Sequence, residues 1–248
     1  TPEGDIKDYK NLFNNPAYRP DEVKLYPCTL IESAELMQYY KRGLWKPYTD
    51  EELKRILITC YKNTPAYTRI SRMVRDIPSQ HVVDGSTISN FRQVVQQEMN
   101  KQGIQSNEIR SREIREAPLS KNKLRLDTVA YDTTVSKELF IQYITKNKKI
   151  AGFLRLSLPH KPSAISEISG HAVIRELHIY GQSLSIKDKQ QKATQHKGLG
   201  KSLLKEATVQ AKNHGYTTLS VISAIGTREY YSKNGFFLGK LYQHYNLQ

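Results

Sequence analysis

Residues 193–207 read ATQHKGLGKSLLKEA. Gly198 and Gly200 stand just where Leu203, Leu204, Ala207 and Ala211 set up a helical period. Glycine is poor inside a helix and useful where backbone must come close to something. The first turn of a helix offers free N–H groups and the positive end of the helix dipole. A strand, a glycine loop and a helix therefore make an anion site, and Lys197 and Lys201 add charge to it. The pattern Gln195-x-x-Gly198-x-Gly200 is short, and a glycine turn that serves packing alone is the other reading.

The sequence around this stretch sets the architecture. Upstream, LRLDTVAYDTT, KELFIQYITK, KIAGFLRLSL and HAVIRELHIYG each read as strands, the first with clear alternation. Residues 181–194 form a polar loop. Downstream come the helix ended by Gly215, the compact strand TTLSVISA, the short helix TREYYSKNG and a last strand FFLGKLYQHYNL. A meander feeding a strand–helix–strand–helix–strand unit predicts an α+β fold with a mixed sheet and flanking helices.

The chain has 248 residues, with 38 Lys plus Arg against 24 Asp plus Glu, a formal charge of +14. Such an excess suits a polyanion, although a basic protein without one has the same balance. No apolar run reaches the ~18 residues that span a bilayer, and no membrane partner is expected. Two cysteines, Cys28 and Cys60, fit a reducing compartment and are too few for an iron–sulfur cluster. A cytoplasmic location is expected, with the nucleus as a second site. The chain begins at Thr1, as a processed product, the remnant of a tag or a fragment of a longer chain would.

The first half reads differently. Residues 1–31 look like a loop followed by one short strand. A short helix over 33–42 precedes one that opens at Thr49, which has capping-box spacing to Glu52 and is followed by Leu53, Ile56, Leu57 and Cys60. Lys54, Arg55, Lys62, Arg69, Arg72 and Arg75 fall in a stretch without acids, interleaved with Tyr61 and Tyr67. This is either a phosphate grip with rings for stacking or a solvated basic face. Residues 86–102 read as a helix with Phe91, Val94, Val95 and Met99 inward. The divisions expected are 1–31, a mainly helical basic region over 32–123, and 124–248.

The spacing Gln195–Gly200, with the element order around it, resembles the acetyl-coenzyme A pyrophosphate loop of the GNAT acetyltransferase family. That resemblance implies that strands 171–180 and 217–224 part and that the thioester lies in the gap. It also implies a tyrosine hydroxyl near the coenzyme sulfur, and Tyr230 and Tyr231 are the candidates, one facing inward and one toward the ligand. Glu176 and His178 share a strand face and are catalytic candidates. Glu176 reads equally as a structural partner of an arginine, and His178 as an interior histidine.

Five motifs in order, KLYPCTLIESAELMQYYKRGLWKPYTDEEL, RMVRDIP, VIRELHIYG, QHKGLGKSLL and VISAIGTREYYSKNGF, extend the resemblance. From about residue 20 to the end the chain is similar to the family of Elongator catalytic subunits, which modify wobble uridine 34 of tRNA. The resemblance implies an acyltransferase that holds acetyl-CoA through Glu176, Leu177, His178, Ile179, Leu199, Gly200, Lys201 and Tyr231, with Gln195, Lys197, Gly198 and Tyr230 adjacent. It implies that thioester hydrolysis accompanies tRNA binding at the anticodon stem-loop. The tRNA would meet the basic stretch and Arg110, Arg112 and Arg115, and other Elongator subunits are further partners. The family's S-adenosylmethionine and 4Fe–4S cluster are not expected here, because the cluster's cysteine triplet is absent and residues 1–31 resemble only the tail of the radical domain. Where the family often carries zinc cysteines stand Ser106, Glu108 and Ser111, so no metal is expected. The alternative is a GNAT enzyme that acetylates lysines or other amines of histones or other proteins.

Overall fold

The computed structural model describes residues 1–74, 77–114, 124–180 and 198–248. The chain divides into two compact units, Thr1–Ser111 and Arg112–Gln248.

The first unit is built on helices. Helix α1 (Pro2–Asn14) replaces the loop expected at the start. Its signals are local: Thr1 accepts a hydrogen bond from the Gly4 N–H, Pro2 opens the helix, and Glu3 and Asp5 sit at the positive end of the dipole. Tyr9 and Phe13 are its buried residues, four apart, with ring centroids 5.3 Å from each other. Short strands β1 (Glu22–Lys24) and β2 (Leu30–Ile31) and helix α2 (Leu36–Lys41) lead to α3 (Asp50–Asn63). The predicted capping box of α3 forms, with the Glu52 N–H donating to Thr49 Oγ1 and the Thr49 N–H to Glu52 Oε2. Strand β3 (Arg69–Arg72) pairs in parallel with β1, and β4 (Val82–Asp84) pairs antiparallel with β2. Helix α4 (Phe91–Lys101) buries Phe91, Val95 and Met99, and α5 (Ile109–Arg112) is one turn.

Ser106, Glu108 and Ser111 form a hydrogen-bonded turn. The fully buried Glu108 carboxylate accepts from the N–H groups of Ile70 (3.1 Å), Arg110 (2.8 Å) and Ser111 (2.6 Å) and from the Ser111 hydroxyl (2.5 Å). Four donors offset the cost of burying a charge.

The second unit carries a seven-stranded sheet in the order β10-β11-β9-β8-β7-β6-β5. Its strands are β5 (Arg125–Asp132), β6 (Ser136–Ile144), β7 (Ile150–Pro159), β8 (Ala172–Ile179), β9 (Thr218–Val221), β10 (Phe237–Leu238) and β11 (Gln243–Asn246). Strands β5 to β8 form the antiparallel meander; β8 and β9 are parallel, joined through helix α6 (Leu199–Asn213). The α+β class with a mixed sheet is borne out, except that the expected last strand is two strands around a turn at residues 239–242. Leu203, Leu204, Ala207 and Ala211 of α6 pack on Leu139, Ile141, Leu154, Leu156, Ala172, Ile174, Leu219 and Val221. Helix α7 (Arg228–Ser232) follows β9.

Strand β8 departs from a regular sheet in two ways. Its pairing with β9 covers only Ala172–Leu219, Val173–Ser220 and Ile174–Val221, so β8 runs on without that neighbour. At this paired end Ser220 Oγ lies 2.7 Å from His171 Nδ1 and 2.9 Å from His244 Nδ1, clasping β8, β9 and β11 together. The register of β7 on β8 passes from Leu156–Ile174 to Arg155–Glu176, which leaves Arg175 as a bulge. Below the bulge Ala172 and Ile174 face α6. Above it the odd-numbered Leu177 and Ile179 do so.

Candidate functional site

A cleft opens where β8 and β9 part. It is lined by Leu177, Ile179, Gly198, Gly200, Lys201, Thr227, Tyr230 and Tyr231. Gly198 has φ +112°, a left-handed conformation that L side chains rarely adopt, and it begins α6 with no side-chain cap. Among the described residues no side chain caps the N–H groups of the first turn, as suits an anion site. Leu199 is buried, while Lys201 is exposed at the mouth. Gln195, Lys197 and the loop over 181–194 lie outside the described residues.

Both tyrosines line the cleft, and they differ in burial. Tyr231 is 7% exposed, packs at 5.5 Å on Phe236, and belongs to the core beneath the cleft. Tyr230 is 38% exposed, and its hydroxyl rests where a side chain on Gly200 would point. Neither hydroxyl has a hydrogen-bond partner among the described residues. Burial first, and then the neighbouring Tyr230, push the Tyr231 phenol up to about 12; burial also raises Tyr230. Both phenols are neutral near pH 7 and can donate a hydrogen bond.

Glu176 and His178 lie on the other face of β8. The Arg155 Nε–H donates to Glu176 Oε2 at 2.8 Å, and Arg155 is 3% exposed, its guanidinium lying over the rings of Phe140 and Phe153. His178 stacks on Phe153 at 5.8 Å and lies 4.5 Å from the Tyr180 ring. The arginine-partner reading of Glu176 is thus the observed one. Neither side chain lines the cleft, though both flank the gap from the opposite face of the sheet.

The basic residues of the first unit are less uniform than their spacing suggests. Lys54 is paired with Glu51 at 2.7 Å and Arg55 with Glu3 at 2.9 Å. Lys62 and Arg72 are exposed and Arg69 is half-buried. Arg110 donates to the Ser71 carbonyl. Arg112, in the second unit, is buried and donates to Gln142 Oε1 at 3.0 Å, so it does not present its guanidinium to solvent. Arg75 and Arg115 lie outside the described residues. Tyr61 and Tyr67 are not stacking rings: both are buried, Tyr61 because it falls on the Leu53–Leu57 face of α3.

Sequence reasoning passed over Thr227, which lines the cleft, and Arg155. Thr227 precedes a helical turn and was legible as its N-cap. Arg155 was not, because only the cross-strand register brings it to Glu176.

A model of the Acetyltransferase (GNAT) family matches residues 107–236. The chain belongs to the GNAT family. In this GNAT chain a Radical_SAM C-terminal domain model also matches residues 20–101. The chain is 38% identical over 243 residues to a tRNA uridine(34) acetyltransferase of Methanocaldococcus jannaschii, covering 94% of the chain and 45% of that protein. To the human Elongator complex protein 3 it is 33% identical over 246 residues, covering 95% of the chain and 44% of that protein. It thus spans somewhat less than half the length of these relatives. A solved structure of the archaeal Methanocaldococcus infernus Elp3 with an N-terminal deletion superposes with a TM-score of 0.88 at 34% identity, covering 99% of this chain and 60% of that one. The resemblance to Elongator catalytic subunits is borne out.

The radical chemistry implied by that family does not fit the residues present. Cys28 is exposed and Cys60 is buried in α3, two thiols where an iron–sulfur cluster takes several. Among the described residues no group of three His, Cys, Asp or Glu is placed to hold a metal. No described helix is long and apolar enough to cross a membrane.

Proposed function

We propose that this chain binds acetyl-CoA in the β8–β9 cleft and presents it for transfer to the wobble uridine of tRNA. One observation carries the reading. Among the described residues the cleft joins a helix N-terminus without a side-chain cap, a stretch of β8 not paired with β9 and two phenols whose hydroxyls have no partner. The pyrophosphate would rest on the first turn of α6, with Lys201 beside it. The amide-rich pantetheine arm would lie along residues 176–179 of β8 as an added strand does. The thioester would then reach Tyr230 and Tyr231.

In thioester hydrolysis a water oxygen adds to the acetyl carbonyl and the C–S bond breaks. Acetate and free coenzyme A leave. A neutral phenol donates to the departing sulfur, and solvent restores its proton. Glu176 and His178 would meet a water or acceptor arriving through the gap from the opposite face.

The experiment is release of free coenzyme A thiol from acetyl-CoA, with and without tRNA. Stimulation by tRNA is expected. Acetyl-lysine formed on a protein acceptor without tRNA dependence would favour the amine acetyltransferase instead, and no acetyl-CoA binding in calorimetry would remove the reading.

The tRNA surface of the first unit is proposed at Lys54, Arg55, Lys62, Arg69, Arg72 and Arg110. Other Elongator subunits are proposed partners, and a cytoplasmic location, with the nucleus as a second site, is proposed with them. Lys62→Gln with Arg72→Gln should lower tRNA affinity roughly fivefold at low salt. It should also flatten the slope of log K against log salt by about 1.5, near 0.7–0.9 per lost phosphate contact. An unaltered slope would take Lys62 and Arg72 out of the interface.

A further inference from the structure

Gly152 of β7 is the direct cross-strand partner of Ile179. A Cβ built on Gly152 would stand 2.6 Å from Ile179 Cδ1 and 3.0 Å from the His178 carbonyl oxygen. Across the cleft floor, a Cβ on Gly200 would lie 3.8 Å from Ile179 Cγ1. The Ile179 side chain is thus held between two positions that carry no side chain, and it lines the cleft beside Leu177 and Tyr230.

We infer that Gly152 is a positioning residue for the ligand. By leaving out one methyl group it lets Ile179 sink against β7 and keeps the cleft floor low where α6 begins. The inference rests on the acetyl-CoA reading for the identity of the ligand, not for the packing. With alanine at 152 the Ile179 Cδ1 methyl must move. Strand β7 closes one side and the first turn of α6 another, so the displaced methyl rises into the cleft. A single methylene in a fitted pocket changes binding by roughly 10- to 200-fold, and the nearest colliding atom is the far end of a flexible side chain, which can shift while the strand pairing stays.

The test uses the full chain with Gly152→Ala, Ile179→Val and the double variant. Ile179→Val removes the Cδ1 atom that collides. Gly152→Ala should raise the acetyl-CoA KM and calorimetric Kd about tenfold, with a smaller change in kcat, and the double variant should return both to within about threefold of the parent. The 13C shift of the Ile179 δ1 methyl, which reports its χ2 rotamer, should move in Gly152→Ala without any ligand. An unchanged Kd in Gly152→Ala would overturn the inference. So would a raised Kd that Ile179→Val leaves uncorrected, since the His178 carbonyl contact would then be the cause. If the parent chain binds no acetyl-CoA, the functional reading falls by itself, and the methyl signal still decides whether Gly152 seats Ile179.

Discussion

Gly200→Val should weaken acetyl-CoA binding by at least about a hundredfold while leaving helix α6 in place. The residue lies in the first turn of α6, and a side chain there would point at the Tyr230 hydroxyl. Two consequences come from one change. The branched side chain holds a pyrophosphate away from the N–H groups of the turn, and it turns Tyr230 out of the cleft. Losing two hydrogen bonds to a charged group, at about 1.5–3 kcal/mol each, amounts to two orders of magnitude or more. Valine is no worse a helix former than glycine, so circular dichroism and the melting temperature should change little. Calorimetry with acetyl-CoA measures the effect, and a loss below fivefold would mean that the phosphates sit elsewhere.

The second large effect belongs to Tyr231→Phe. Turnover of acetyl-CoA should fall about a hundredfold with little change in KM, in the usual range for a lost proton donor. The ring stays, and with it the contact to Phe236. The hydroxyl has no hydrogen-bond partner among the described residues, so none of those contacts is lost with it. The phenol, pushed up to about 12, stays protonated through neutral and moderately alkaline pH. The parent's rate should therefore show no fall from tyrosine ionisation below about pH 10, and Tyr231→Phe should change the height of the profile rather than its shape. Tyr230→Phe is the comparison: the more exposed hydroxyl rests over Gly200, and its loss should act on KM. Equal turnover in parent and Tyr231→Phe would leave Tyr231 a packing residue.

Much of the fold was legible because it is written locally. Gly198 and Gly200 ahead of an apolar helical period marked α6, Thr49 and Glu52 marked α3, and the meander showed its strands by alternation. Helix α1 was equally local, with Thr1, Pro2 and the Tyr9–Phe13 spacing, but residues 1–31 as a whole are polar and that composition hid it. Tyr61 and Tyr67 show the opposite error, where charge along the sequence suggests a surface although helical period turns Tyr61 inward. Glu176 needed more than either signal. Its partner Arg155 lies 21 positions away in sequence and beside it only through strand register. Arg112 likewise reads as a free cation until Gln142 is seen against it.

The bulge at Arg175 carries a consequence for how this cleft can change over time. Strict alternation from Ala172 and Ile174 would send Glu176 and His178 to the ligand's side. The one extra residue hands that side to Leu177 and Ile179 instead. The polarity of the cleft wall thus depends on the bulge absorbing Arg175 out of the alternation. Losing the codon at position 175 would abolish the bulge yet keep the aliphatic wall, because Glu176 would follow Ile174 directly with the same cross-strand partners. Regularising β8 with every residue kept would turn the acid and the imidazole to the ligand.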